Sequence, residues 1–184
     1  QVIIDEAGHL TGMVNDLLDI SKLQAGVTQL NKTHFNLTAN LEEAVQRIGR
    51  MASANEFMIE LICDHDKEVF VDADEFKIYQ VVYNLINNAL NYSGDSRHVT
   101  VRQECIGDTV KVSVQDFGLG IAKENLPLVW ERYYKIDKEH RRSFNGSGLG
   151  LAIVRKILEL HNAQYGVDST LGQGSTFWFC LKVS

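Results

Sequence analysis

Apolar residues recur at intervals of seven along the first stretch of the chain, at Ile3, Leu10 and Leu17, with Met13 and Ile20 between them. This spacing gathers them on one face of a helix spanning residues 1 to about 25. Asp5, Glu6, Asn15, Asp16 and Lys22 fall mostly off that face, and Gly26 suits the stop. Such a stripe has to be covered, by the rest of the chain or by a partner helix in a bundle. Residues 28–35 then read as a short extended piece. A helix follows to about residue 54, with Asn36 or Thr38 as its cap. Residues 57–63 and 69–71 read as short strands around the polar turn Asp64-His65-Asp66-Lys67. A long helix is predicted over 74–92.

Residues 98–104 and 109–115 alternate as strands do, and Ile106-Gly107-Asp108 between them suits a hairpin turn. A glycine-punctuated, charged stretch covers 116–147 and a helix covers about 149–161. Two strands, 164–169 and 175–183, close the chain through Gly172 and Gly174. Helices against a mostly antiparallel sheet make this an α+β sandwich.

Composition narrows the classes little. The 184 residues are 45% hydrophobic and 23% charged, ordinary for a globular domain. No apolar run reaches the roughly 20 residues of a membrane-spanning helix, and no signal-peptide pattern opens the chain. Its start at Gln1-Val2-Ile3 lies mid-pattern and reads as a cut fragment. The net charge of −6 argues against non-specific nucleic-acid binding. Cys63, Cys105 and Cys180 form no CxxC pair and are odd in number, so they read as core thiols in a reducing compartment. The scattered His34, His65, His98, His140 and His161 read as structural or surface residues rather than metal ligands.

Four segments carry candidate chemistry. The helix over 74–92 has a broad apolar face, yet it also holds Asn84, Asn87, Asn88 and Asn91. Asparagine is a poor helix former, so a helix with four of them is expected to use some. Asn84 and Asn88 share one face, and Tyr92 continues the row. An amide oxygen there could ligate Mg²⁺ beside phosphates without adding charge; the alternative is a solvated polar face.

The second segment is Asp116-Phe117-Gly118-Leu119-Gly120-Ile121, directly after a strand, where a carboxylate beside a glycine turn could accept from an amino group such as that of adenine. It is not the DFG motif of the protein kinases, because that family's other loops are missing. In the third, Gly146-Ser147-Gly148-Leu149-Gly150-Leu151 opens a helix, an arrangement that presents backbone N–H groups to an anion. No Lys-Ser/Thr follows Gly150, so this is no Walker A loop. Fourth, Trp130-Glu131-Arg132-Tyr133-Tyr134-Lys135 reads as a loop with an aromatic anchor. Lys135, Lys138, Arg141 and Arg142 are within reach of a phosphate tail.

Taken in order, the asparagine helix, the Asp-x-Gly-x-Gly turn, the aromatic loop and the glycine-rich helix start resemble the N, G1, F and G2 boxes of the sensor histidine kinase catalytic domain. That domain lies within the gyrase, Hsp90, histidine kinase and MutL superfamily. The resemblance runs from about Asn36 to the C-terminus. In addition, Asn15-Asp16-Leu17-Leu18-Asp19-Ile20-Ser21-Lys22-Leu23 is similar to the end of the second dimerisation helix of these kinases.

The resemblance implies a Bergerat-type two-layer α/β sandwich, with a mixed, mostly antiparallel sheet and helices on one face, preceded by a long N-terminal helix. Residues 1–26 would be part of the dimerisation region. Residues 27–184 would form the ATP-binding domain, with a lid at about 121–147. It assigns Mg²⁺ to Asn88, adenine packing to Tyr92 and the adenine amino group to Asp116. Gly118 and Gly120 would make room for the base, with Ile121 closing the motif. Gly146, Ser147, Gly148, Leu149, Gly150 and Leu151 would cradle the phosphates, and Tyr133 would anchor the lid.

Asn84 stands where the ATPase branches carry a glutamate base, which favours a kinase over an ATPase. Asn91 and Lys135 depart from the Lys and Arg common at those phosphate-contacting positions, so nucleotide affinity or transfer rate is expected to be lower than is typical. No H-box histidine occurs, and His9 lies on the wrong helix, so the fragment is expected to bind ATP without phosphorylating itself. The implied partners are ATP, a response-regulator receiver domain and a second copy of the parent through its dimerisation helices. The implied setting is the cytoplasmic side of a membrane-anchored parent. The competing readings are an ATPase or serine kinase of the same superfamily and a non-catalytic signalling adaptor of the same fold.

Overall fold

The computed structural model describes residues 21, 29–64, 67–134 and 148–184. The predicted N-terminal helix and the dimerisation assignment of residues 1–26 therefore lie outside the described residues, apart from helical Ser21.

Strand β1 (Thr33–Asn36) leads directly into helix α1 (Leu37–Ala52). Asn36 is the cap, its side chain accepting from the Ala39 amide at 3.1 Å. Strands β2 (Met58–Ile62) and β3 (Phe70–Ala73) follow, then helix α2 (Glu75–Tyr92), capped by Asp74 through the Lys77 amide. Strands β4 (His98–Ile106) and β5 (Thr109–Asp116) form the expected hairpin, with Gly107 at φ +64° in the turn. Helix α3 (Gly150–Leu160) and strands β6 (Gln164–Thr170) and β7 (Gly174–Lys182) complete the order.

The five-stranded sheet runs β2-β4-β5-β7-β6. β2 is parallel to β4 and every other pair is antiparallel. β2 and β3 flank the polar turn but do not pair with each other: β3 pairs antiparallel with β1 in a separate two-stranded sheet. Alternation explains the core. Val99 and Val101, Val110, Val112 and Val114, and Phe177, Phe179 and Leu181 all point to one side. There they meet Leu37, Leu41, Ala44 and Ile48 of α1, Ile78, Val81, Val82, Leu85 and Ile86 of α2, and Ile153, Val154, Ile157 and Leu158 of α3.

The three cysteines are free thiols. None belongs to the buried core, and Cys105 is exposed, which corrects the expectation of core thiols: they sit at strand ends or on the open face of the sheet. Among the described residues no helix is long and apolar enough to cross a membrane.

Candidate functional site

Asp116 is the last residue of β5 and lies between Val99 and Ser175 on the neighbouring strands. It is 2% exposed, and its Oδ1 accepts from the Gly118 amide at 2.9 Å. Burial pushes the carboxyl above its usual pKa range, against the opposing pull of backbone N–H donors from Gly118 and Ser175. A buried acceptor whose described surroundings are backbone N–H groups rather than a cation suits a neutral donor such as an exocyclic amine.

The glycines beside it are each required by a close approach of backbone. A Cβ on Gly118 would lie 1.7 Å from the Tyr92 carbonyl oxygen, and one on Gly120 would lie 2.1 Å from that of Thr170. The space they leave is filled by this chain's own backbone, because the turn passes hard against the end of α2 and the β6–β7 hairpin. Gly174, read from the sequence only as a turn glycine, does the same: its Cβ would meet the Asp116 carbonyl at 2.0 Å.

Ser169 is a second missed residue. Its hydroxyl accepts from the Ile121 amide and donates to the Gly174 carbonyl, both at 2.8 Å, and lies 3.1 Å from Ser175 Oγ. It ties the end of the glycine turn to the hairpin beside Asp116. The visible signal was a pair of serines flanking a glycine-marked turn. Ile121 is itself 8% exposed and packs into the core.

Asn84, Asn88 and Tyr92 form one row on α2, with both asparagines half-buried and Tyr92 45% exposed. Asn84 Nδ2 is buried and has no hydrogen-bond partner. A Cβ on Gly150 would lie 3.9 Å from Asn84 Cγ, so this orphan donor sits opposite the start of α3. Among the described residues no side chain caps that start, and the first amides of a helix are where an anion binds. Gly148, at φ +71°, leads into it. Leu149 is 3% exposed and anchored in the core, and Leu151 is half-buried against it, so their side chains brace the helix rather than line the opening.

Asn87 and Asn91 leave this row. The Asn87 amide donates back to the Tyr83 carbonyl, as polar residues in helices often do. Asn91 lines an apolar groove of about 240 Å³ between α1 and α2, with Ile48, Met51, Phe57 and Tyr83.

Two aromatics of the loop before α3 pack against the core, Trp130 and Tyr134. Trp130 packs edge-on against Tyr165 and Phe177, at 5.0 and 5.5 Å between centroids. Tyr134 packs on the core and donates to Asn125. The Tyr133 side chain is 62% exposed, and its backbone sits at φ +58°. Arg155 of α3 holds the same loop through Glu131 at 2.9 Å. Lys135, Gly146 and Ser147, with residues 135–147 of the expected lid, lie outside the described residues.

Among the described residues no group of three or more His, Cys, Asp or Glu is placed to hold a metal ion. A divalent cation here would be carried largely by phosphate oxygens and water, with a neutral amide oxygen such as that of Asn88 added. That donor set fits Mg²⁺.

Known proteins resemble this chain over most of its length. Sensor histidine kinase WalK of Bacillus subtilis is 34% identical over 96% of this chain. The non-motile and phage-resistance protein of Caulobacter vibrioides is 33% identical over 100% of it. The chain spans only 29% and 22% of their respective lengths. The crystal structure of full-length ShkA in complex with AMPPNP superposes with a TM-score of 0.84 at 26% identity, covering 98% of this chain and 37% of that one. The sequence profile described as histidine kinase-, DNA gyrase B-, and HSP90-like ATPase matches residues 73–184, from the end of β3 through every element of the site. On that match the chain belongs to the histidine kinase-, DNA gyrase B- and HSP90-like ATPase family.

Proposed function

We propose that this chain is the ATP-binding catalytic domain of a two-component sensor histidine kinase. In this reading it presents the γ-phosphoryl group of ATP to a histidine on a dimerisation helix of the parent protein. The observation that carries the reading is the buried Asp116 carboxylate, on the same chain as the Asn84–Asn88 row and the glycine-led start of α3. These supply a base-selective acceptor at one end and an anion-binding end at the other. Asp116 takes the adenine amino group and Tyr92 covers the base. Gly148 and Gly150 admit the phosphates to the amides of α3, and Asn84 Nδ2 donates to a phosphate oxygen. Asn88 holds Mg²⁺, which when bound neutralises phosphate charge.

An amide at position 84 cannot accept a proton from water, which supports phosphoryl transfer over hydrolysis. Residues 1–26 would belong to the dimerisation region and 27–184 to the catalytic domain. The parent would act as a homodimer and pass phosphate on to a response-regulator receiver domain. Calorimetric titration with a non-hydrolysable ATP analogue, with and without Mg²⁺, tests the reading. Binding by the wild type, its loss in Asp116→Ala and loss of Mg²⁺ dependence in Asn88→Ala are expected. No binding at millimolar nucleotide would sink it.

A further inference from the structure

Between Asp116 and Gly118, which share a hydrogen bond, lies Phe117. Strand alternation turns its side chain to the opposite side of the sheet from the Asp116 carboxylate. There its ring stacks on His98, with centroids 5.4 Å apart and planes 19° from parallel. Register explains the meeting: Val99 is the partner of Asp116, so the residue before Val99 stands beside the residue after Asp116. The imidazole Nε2 lies 3.5 Å from Glu60 Oε2 on β2, a contact that is not a hydrogen bond. The backbone beneath is fixed by the Met58 amide, which donates to the Arg97 carbonyl at 2.9 Å.

The downstream half of the glycine turn is tied by hydrogen bonds, Gly172 to Leu119 and Ile121 to Ser169. The upstream half has the Phe117 ring, 42% exposed, resting on His98. We infer that His98 is a positioning residue for nucleotide binding: its ring holds Phe117, and through it the Asp116 carboxylate and Gly118 amide, in the arrangement that accepts the base. The inference rests on the ATP reading above. A turn released from the stack occupies its binding-competent form less often, and apparent affinity falls by that fraction.

The test compares wild type, His98→Ala and His98→Phe by calorimetry with a non-hydrolysable ATP analogue and Mg²⁺. Hydrogen exchange of the Gly118 amide is measured without nucleotide. His98→Ala is expected to weaken binding about three- to tenfold, the scale of one aromatic stack, and to speed Gly118 exchange by a similar factor. His98→Phe keeps a stacking ring, loses the contact to Glu60, and is expected to restore both within about twofold. Unchanged affinity and exchange in His98→Ala would overturn the inference, and so would a His98→Phe variant as impaired as His98→Ala. If wild type binds no nucleotide, the ATP reading fails separately, and the exchange data still decide whether His98 orders the turn.

Discussion

The backbone amide of Tyr133 donates to the carbonyl of Gly148 at 3.0 Å, so the two ends of the segment running between them lie side by side. Both residues have left-handed backbone, φ +58° and +71°. For Gly148 this conformation is free of strain, whereas for Tyr133 it costs on the order of 1–2 kcal/mol. Tyr133→Gly keeps the N–H donor and relieves that strain. It is expected to leave stability unchanged or raise it by up to about 1 kcal/mol in denaturant melts. Gly148→Ala adds the same kind of strain and a Cβ 3.1 Å from Tyr133 Cα, and is expected to lower stability by about 1–2 kcal/mol. A Tyr133→Gly variant that destabilises the chain would show that the exposed ring contributes packing after all.

Asp116 should set both base selectivity and a pH response. Asp116→Asn keeps the size of the group but turns part of the acceptor into a donor facing the adenine amine. Affinity for an adenine nucleotide is expected to fall roughly tenfold to a hundredfold, the scale of a charge-assisted hydrogen bond. Burial raises the carboxyl's pKa, so the folded chain holds this proton more tightly than the unfolded chain does. The associated stability is complete below the ordinary carboxylate value, near 3.9, and is lost as pH rises through the raised folded value. Lowering pH from 7 toward that range should therefore stabilise wild type relative to Asp116→Asn. Parallel melting curves for the two across that range would contradict the buried-charge account.

Much of this was legible in the chain. The asparagine row, Asp116 and the glycine-led start of α3 each follow from a local rule about helix propensity, strand ends or helix termini. The contacts that make Gly118, Gly120 and Gly174 necessary join segments up to about 60 residues apart, and no local pattern carries them. The same holds for β3, which looks like a hairpin partner of β2 but leaves to pair with β1, because Phe35 and Val71 share an apolar side under α1. Tyr133 takes the lid-anchoring role only from the F-box resemblance. Trp130 packs against Tyr165 and Phe177, partners distant in sequence, so no local pattern carries its place.

His161 was read as structural, and the structure gives it a definite part. Its Nε2 accepts from the Asp74 amide at 3.0 Å while Nδ1 bonds the Ile157 carbonyl at 2.8 Å, so it bridges the end of α3 and the cap of α2. Accepting at Nε2 requires neutral imidazole. Burial lowers its pKa, opposed by the bond to Ile157. Stability from a depressed base is present above the unfolded value, about 6.5, and is lost as pH falls toward the lowered folded value, by at most about 1.4 kcal/mol per pH unit. Urea midpoints at pH 7.5 and 5.5 should separate further for wild type than for His161→Ala, which is less stable at pH 7.5 but lacks this titration. Equal separations would assign the acid sensitivity to another group.

Gly118 and Gly172 distinguish a glycine required by close approach from one required by conformation alone. Gly172 has φ +79° and nothing within 4 Å of an added Cβ, so Gly172→Ala carries only left-handed strain, about 1–2 kcal/mol. At Gly118 the φ is not in the left-handed region, but the methyl would fall 1.7 Å from the Tyr92 carbonyl oxygen. Backbone cannot yield as a flexible side chain does, so Gly118→Ala has to move the turn away from α2 and take the Asp116 hydrogen bond with it. Gly118→Ala is therefore expected to cost more stability than Gly172→Ala, at least about 2 kcal/mol. It should also abolish measurable nucleotide binding, while Gly172→Ala binds within about threefold of wild type once both are assayed well below their melting temperatures. If the two variants lost stability and binding to the same degree, the approach of the turn to Tyr92 would not be what fixes Asp116.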